Sequence, residues 1–200
     1  MKKFSGYEET KVFTGEGRLP KGGYIVRILK VEEVVYSWGS VLKMDFDIAE
    51  GEYKNFYQRN FDDQEQEQKK WKGSYRLPIP RDDGSQQDGW TKSRFKATME
   101  AFEQSNAGFR WNWDEKQLMG KLVGGLFNEK EWEMNERTGW YTQCKKLVAV
   151  KEIKEGTYRL PKDEPLAKKS EQSMFSASET NNDGFMHISD DADDEGLPFN

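Results

Sequence analysis

The sequence predicts a mainly β domain with a helical insertion, followed by a disordered acidic C-terminal tail, and three observations carry that expectation. Apolar and polar residues alternate at a period of two in segments on either side of the middle, most cleanly from Val41 to Ala49. The middle itself is polar, punctuated by Pro and Gly, and holds a single helical pattern. The third observation is a break in charge. Residues 1–165 carry 29 Lys+Arg against 28 Asp+Glu, whereas residues 166–200 carry 2 against 8, so the net charge of −5 is the acidity of the chain's end.

Each element has a local reason. Gly22-Gly23 opens a strand from Tyr24 to Tyr36 (YIVRILKVEEVVY), rich in β-branched residues, whose alternation slips once and so predicts a bulge. Ser37-Trp38-Gly39-Ser40 is a turn. From Val41 to Ala49 (VLKMDFDIA), Leu42, Met44, Phe46 and Ile48 face one side while Lys43, Asp45 and Asp47 face the other. Gly51 ends that strand, and Tyr53 to Phe61 (YKNFYQRNF) reads as a third strand of an antiparallel meander. Asp62 to Lys72 is charge-blocked and polar, and Leu77 to Gly89 is interrupted by Pro and Gly, so both read as an excursion. Thr91 is the expected cap of a helix through about Ser105, with Phe95, Met99 and Phe102 on one face. A shorter helix is expected from Glu115 to Met119, introduced by Asp114 with Gln117 three residues on and stopped by Gly120. Lys121 to Met134 and Gly139 to Ile153 then form a hairpin around a polar turn, with Gly124-Gly125 marking a bulge or tight bend.

Three strands, a helical insertion over about residues 62–120 and two further strands make the outline of an OB-fold, a partly open five-stranded barrel that offers strands and loops to oligonucleotides. Other small barrels fit the same string. The division is an OB-like domain over residues 1–162, a disordered linker over 163–189 and an acidic segment over 190–200.

Composition narrows the chemistry. One Cys, Cys144, excludes an intrachain disulfide and fits a reducing cytosol, and the opening residues lack the apolar run of a signal peptide. No segment approaches a membrane span, so a cytoplasmic protein with no membrane partner is expected. Enzymatic readings are weak. A single His and a single Cys do not make a typical zinc site, no phosphate-binding G-x-x-x-x-G-K-[ST] occurs, and Asp62-Asp63 and Asp82-Asp83 read as turn residues rather than a magnesium site. No catalytic residue, metal or cofactor is therefore expected.

Aromatic residues make up 14% of the chain, and they are repeatedly interleaved with cations. That is the pattern a sequence-tolerant single-strand binder needs, with flat rings for unpaired bases and cations for phosphates. The candidates are Trp38 with Lys43; Tyr57 and Arg59 on a shared strand face; Lys69, Lys70 and Trp71 in the excursion; and Trp140 and Tyr141 with Lys145 and Lys146. The competing reading is that these aromatics are core. Trp111 and Trp113 would point the same way in an extended stretch, either as a stacking platform or, slightly favoured, as an anchor for the insertion. The near-neutral body argues weakly against nucleic acid and keeps open an adaptor whose body binds none.

The last eleven residues, DDADDEGLPFN, join five carboxylates, Asp190, Asp191, Asp193, Asp194 and Glu195, to an apolar tip of Leu197, Pro198 and Phe199. Charge repulsion favours an extended, solvated backbone, and the tip supplies the apolar grip for a partner. This end resembles the acidic tail of bacterial and phage single-stranded-DNA-binding proteins, which closes on an Ile/Leu-Pro-Phe tip. The resemblance implies a body that coats single-stranded DNA and a tail that recruits replication or recombination enzymes, in the host cytoplasm if the protein is phage-encoded. It leaves homo-oligomerisation open. Asn200 departs from that family, where Phe is usually last and its α-carboxylate is part of what partners grip.

Overall fold

The computed structural model describes residues 17–135 and 137–166. Five strands form one antiparallel sheet in the order β3-β2-β1-β4-β5: β1 Gly22–Tyr36, β2 Gly39–Ile48, β3 Ser74–Pro78, β4 Leu122–Met134 and β5 Arg137–Val148. Helix α1 (Phe56–Asp62) falls between β2 and β3, α2 (Gln86–Ser105) and a 3₁₀ turn (Glu115–Leu118) between β3 and β4, and α3 (Val150–Glu155) after β5. The sheet is not closed by a ladder between β3 and β5. No helix among the described residues is long and apolar enough to cross a membrane.

One face of the sheet makes the core, because alternation sends every second side chain of β1 and β2 inward. Val26, Ile28 and Val31 meet Leu42, Met44, Phe46 and Ile48, and α2 lays Phe95, Met99 and Phe102 against them with Leu118, Val123, Phe127 and Leu147. The expected slip in β1 is a bulge between Ile28 and Lys30 opposite β2.

Three boundaries differ from the sequence reading, each for a physical reason. Tyr53 to Phe61 is not a strand: α1 starts there after Asn55 in a left-handed conformation, and Phe56 and Tyr57 turn inward. The place beside β2 belongs instead to β3, whose Tyr75 and Leu77 are buried; Pro78 is tolerable because β3 is an edge strand. Helix α2 begins at Gln86, not after Thr91, since Ser85 Oγ accepts the Asp88 backbone N–H at 3.1 Å while Thr91 donates to the Gln87 carbonyl within the helix. The last strand ends at Val148, and Ile153 lies in α3, which Gly156 stops in the left-handed region. Gly124 allows that helix to seat, because a Cβ there would lie 2.6 Å from Ile153 Cγ1.

Beyond Gly22, β4 has lost β1 as its neighbour, and the chain after α3 returns to cover the exposed edge. Glu164 N–H donates to the Glu129 carbonyl at 2.8 Å, Glu131 N–H donates to the Glu164 carbonyl at 2.9 Å, and the buried Asn128 amide donates to the Lys162 carbonyl at 2.6 Å. Lys21–Asp163 and Lys145–Glu164 ion pairs, both 2.6 Å, flank this contact. The remainder of the expected linker, from residue 167, lies outside the described residues.

Candidate nucleic-acid interface

The outer face of β1, β2 and β3 brings together the first group of expected site residues. Register places Lys43 opposite Glu32 on one side and Arg76 on the other, so all three point away from the core. By the same alternation Tyr36 shares this face, and at the hairpin tip its ring stacks on Trp38 with centroids 5.2 Å apart and planes within 2° of parallel. Trp38 remains 43% exposed.

The tip is held from behind. The Arg81 guanidinium donates to the Trp38 carbonyl and packs over Gly39, where any side chain would crowd it. Arg81 is in turn fixed through its own backbone N–H, which donates to Asp88 Oδ1 at 2.8 Å. Asp88 is buried, also accepts the Asp82 N–H, and is paired with Lys92 at 2.9 Å; the Lys92 hydrogen bond holds its carboxyl below the usual aspartate range despite burial. A relay from Asp88 through Arg81 to Trp38 thus ties the start of α2 to the stacked pair.

Cations on this face are partly spent on neighbours. Lys43 Nζ lies 3.2 Å from Glu32 and 3.8 Å from Asp45, and Lys30 shares Glu32 at 2.5 Å. The hydrogen bonds from Lys30 and Lys43 hold the Glu32 carboxyl below its ordinary value. Arg76 is exposed beside them and is a candidate the sequence does not single out, because its segment carries no strand pattern between a polar stretch and a Pro-rich one.

Other expected residues are distributed elsewhere. Tyr57 is a correction: it is 6% exposed and packed edge-on against Phe46 and Phe56, so it offers no ring to a base and shares no strand face with Arg59, which is exposed on α1. Trp71 is largely an anchor, its indole N–H shared between the Phe46 carbonyl at 3.2 Å and the Gly73 carbonyl at 3.0 Å. Lys69 donates to the Asp62 carbonyl and sits 5.8 Å from the centre of the Phe61 ring, while Lys70 is exposed. On β5, Trp140 is 37% exposed and its carbonyl receives Arg18; Tyr141 lies opposite Lys130, Lys145 is paired with Glu164, and Lys146 is exposed. Desolvation pushes the Cys144 thiol pKa up to about 12, which disfavours the thiolate.

Trp111 and Trp113 part company. Trp111 packs against the core as an anchor, whereas Trp113 is 79% exposed. The expected partner-binding residues Asp190, Asp191, Asp193, Asp194, Glu195, Leu197, Pro198 and Phe199 lie outside the described residues.

Compared with known proteins, the chain matches no protein-family model and no curated protein.

Proposed function

We propose that this chain binds single-stranded DNA without strong sequence preference and recruits replication or recombination enzymes through its acidic Leu-Pro-Phe end, as a phage or mobile-element protein would. The observation that carries the reading is the Tyr36–Trp38 stack at the end of a face bearing Lys43 and Arg76. A pre-stacked, half-exposed indole at the end of a face that carries cations further along is a ready seat for an unpaired base of a strand whose phosphates run over that face.

An OB-like architecture is part of the proposal. A central β1 bonded to both β2 and β4, edge strands β3 and β5, and a helix between the third and fourth strands are the arrangement expected of such a barrel in its open form. Helix α2 spans the open side, where Arg94 donates to the Tyr75 hydroxyl on β3 at 3.2 Å and reaches the Lys145 carbonyl on β5 at 3.5 Å. In OB-folds the second and third strands and the first hairpin loop contact oligonucleotides, which here means the face just described.

Titration with oligo(dT) while following tryptophan fluorescence tests the reading: quenching that weakens as salt rises supports it, and an unchanged signal at every concentration overturns it. A second reading, a replication adaptor whose body binds no nucleic acid, is favoured by the neutralisation of Lys43 by Glu32 and of Lys145 by Glu164. It gains if the oligonucleotide does nothing while residues 190–200 still capture a partner.

A further inference from the structure

We infer that Trp113 is a second stacking seat for an unpaired base, on the α2 side of the molecule and separate from the Tyr36–Trp38 face; the inference rests on the single-strand reading above.

The indole is presented at a cost. Trp113 has φ of 69°, a left-handed conformation that a bulky L-residue adopts only when its surroundings impose it. The surroundings are specific. Glu103 on α2 accepts the Trp111 backbone N–H at 2.9 Å and pairs with Arg110 at 3.2 Å, and Trp111 itself is packed on the core. On the other side, Asp114 N–H donates to Asn112 Oδ1 at 3.3 Å, and Asp114 Oδ1 caps the 3₁₀ turn through Lys116 N–H at 3.1 Å. The loop is therefore pinned before and after Trp113.

Its ring lies nearly parallel to Phe95, with planes 10° apart and centroids separated by 6.1 Å, and Trp111 lies at the same distance. Phe95 is buried, so the indole sits beside the core. Trp113 itself stays 79% exposed, so most of the ring is open to a ligand. Covering Phe95 alone would need only an aliphatic side chain in an unstrained backbone. The strain is explained if the flat ring itself is wanted.

The ligand class follows from the neighbours. Asn112, Asp114, Arg110 and Lys116 are all exposed within three residues of Trp113, so the ring's own loop gives it a polar rim. That suits a base, which needs one flat face and keeps its edges solvated, with the exposed Lys116 near enough in sequence to serve its phosphate while Arg110 stays paired with Glu103. A protein partner would need a larger apolar surround to exclude water.

The test is oligo(dT) of increasing length titrated into the full-length wild-type protein and into Trp113→Leu and Trp113→Phe, with circular-dichroism melting to establish that each variant folds. Leu covers Phe95 without a π face, and Phe restores one. Trp113→Leu is expected to weaken binding of long oligomers by roughly 5- to 150-fold, with most of the affinity recovered in Trp113→Phe. Wild-type binding with unchanged affinity in Trp113→Leu at every length overturns the second seat alone. Absence of wild-type binding removes the single-strand reading and this seat together. Unchanged DNA affinity combined with a shift in sedimentation of Trp113→Leu would assign the ring to self-association instead. If Trp113→Leu does not fold, Trp113→Phe compared with Trp113→His, which keeps a smaller flat ring, makes the same decision by graded loss or its absence.

Discussion

The carboxylate of Asp47, on β2, accepts the backbone N–H of Tyr57, in the first turn of α1, at 2.9 Å. The same oxygen accepts the Ile48 N–H at 2.8 Å, and its partner oxygen accepts the Gln58 N–H at 3.0 Å. Asn55, the residue in the cap position, makes no side-chain cap. The helix is capped from the sheet, and a buried carboxylate is satisfied by donors that α1 would otherwise leave unpaired.

Asp47→Ala is therefore expected to destabilise the protein by about 2 to 4 kcal/mol, as charged hydrogen bonds are lost and buried N–H groups are left without acceptors. Asp47→Asn keeps one carbonyl acceptor and should lose less. Urea unfolding checks the order, and an Asp47→Ala midpoint equal to wild type would remove the cap from the account.

This relationship also explains where the sequence was and was not legible. Val41 to Ala49 reads correctly because its pattern is local, and so does the bulge in β1. Tyr53 to Phe61 misleads because its helix depends on a carboxylate several residues earlier in another element, which no local window contains. A strand at Tyr53 to Phe61 would turn Tyr57 outward and leave Arg76 without a face; the helix and β3 reverse both. The Trp38 tip was visible as a turn, yet its fixing by Arg81 spans 43 residues. Trp113 shows the opposite limit: two tryptophans two apart look equivalent in sequence, and only the left-handed backbone at the second separates them.

Trp38 and Trp71 should respond differently to removal. Trp38→Ala takes away an exposed ring stacked on Tyr36 and is expected to weaken oligo(dT) binding by about 5- to 150-fold with little change in melting temperature. Trp71→Ala removes a core-packed indole and its bonds to the Phe46 and Gly73 carbonyls, so stability should fall by about 2 to 4 kcal/mol. Parallel affinity and melting measurements decide; equal losses of affinity without loss of stability would place Trp71 in the binding surface as well.

Lys145 is held by Glu164 at 2.6 Å. Burial pushes the Glu164 carboxyl up, but the hydrogen bond and charge of Lys145 outweigh it, and the net displacement is downward. Glu164→Gln should free that cation for a phosphate. The expected signature is a salt dependence of DNA affinity steeper by about 0.7 in the log-log slope, with tighter binding at low salt. An unchanged slope would mean that Lys145 lies off the DNA path.

Asp88 makes stability depend on acidity in a predictable direction. Its carboxyl is held low in the folded protein, first by the Lys92 hydrogen bond, while an unfolded aspartate titrates near the ordinary value of about 3.9. A group with a lowered folded pKa contributes stability in full above the unfolded value and loses it as the pH falls through the folded one. Wild-type melting temperature should consequently drop below about pH 4, and Asp88→Asn, less stable at pH 7, should drop less over the same range, so that the two curves converge in acid. Because Asp88 positions Arg81 and Arg81 holds the Trp38 carbonyl, the variant should also change tryptophan emission and weaken oligo(dT) binding at neutral pH. Loss of stability with DNA affinity intact would show that the relay supports α2 without organising the stacked tip.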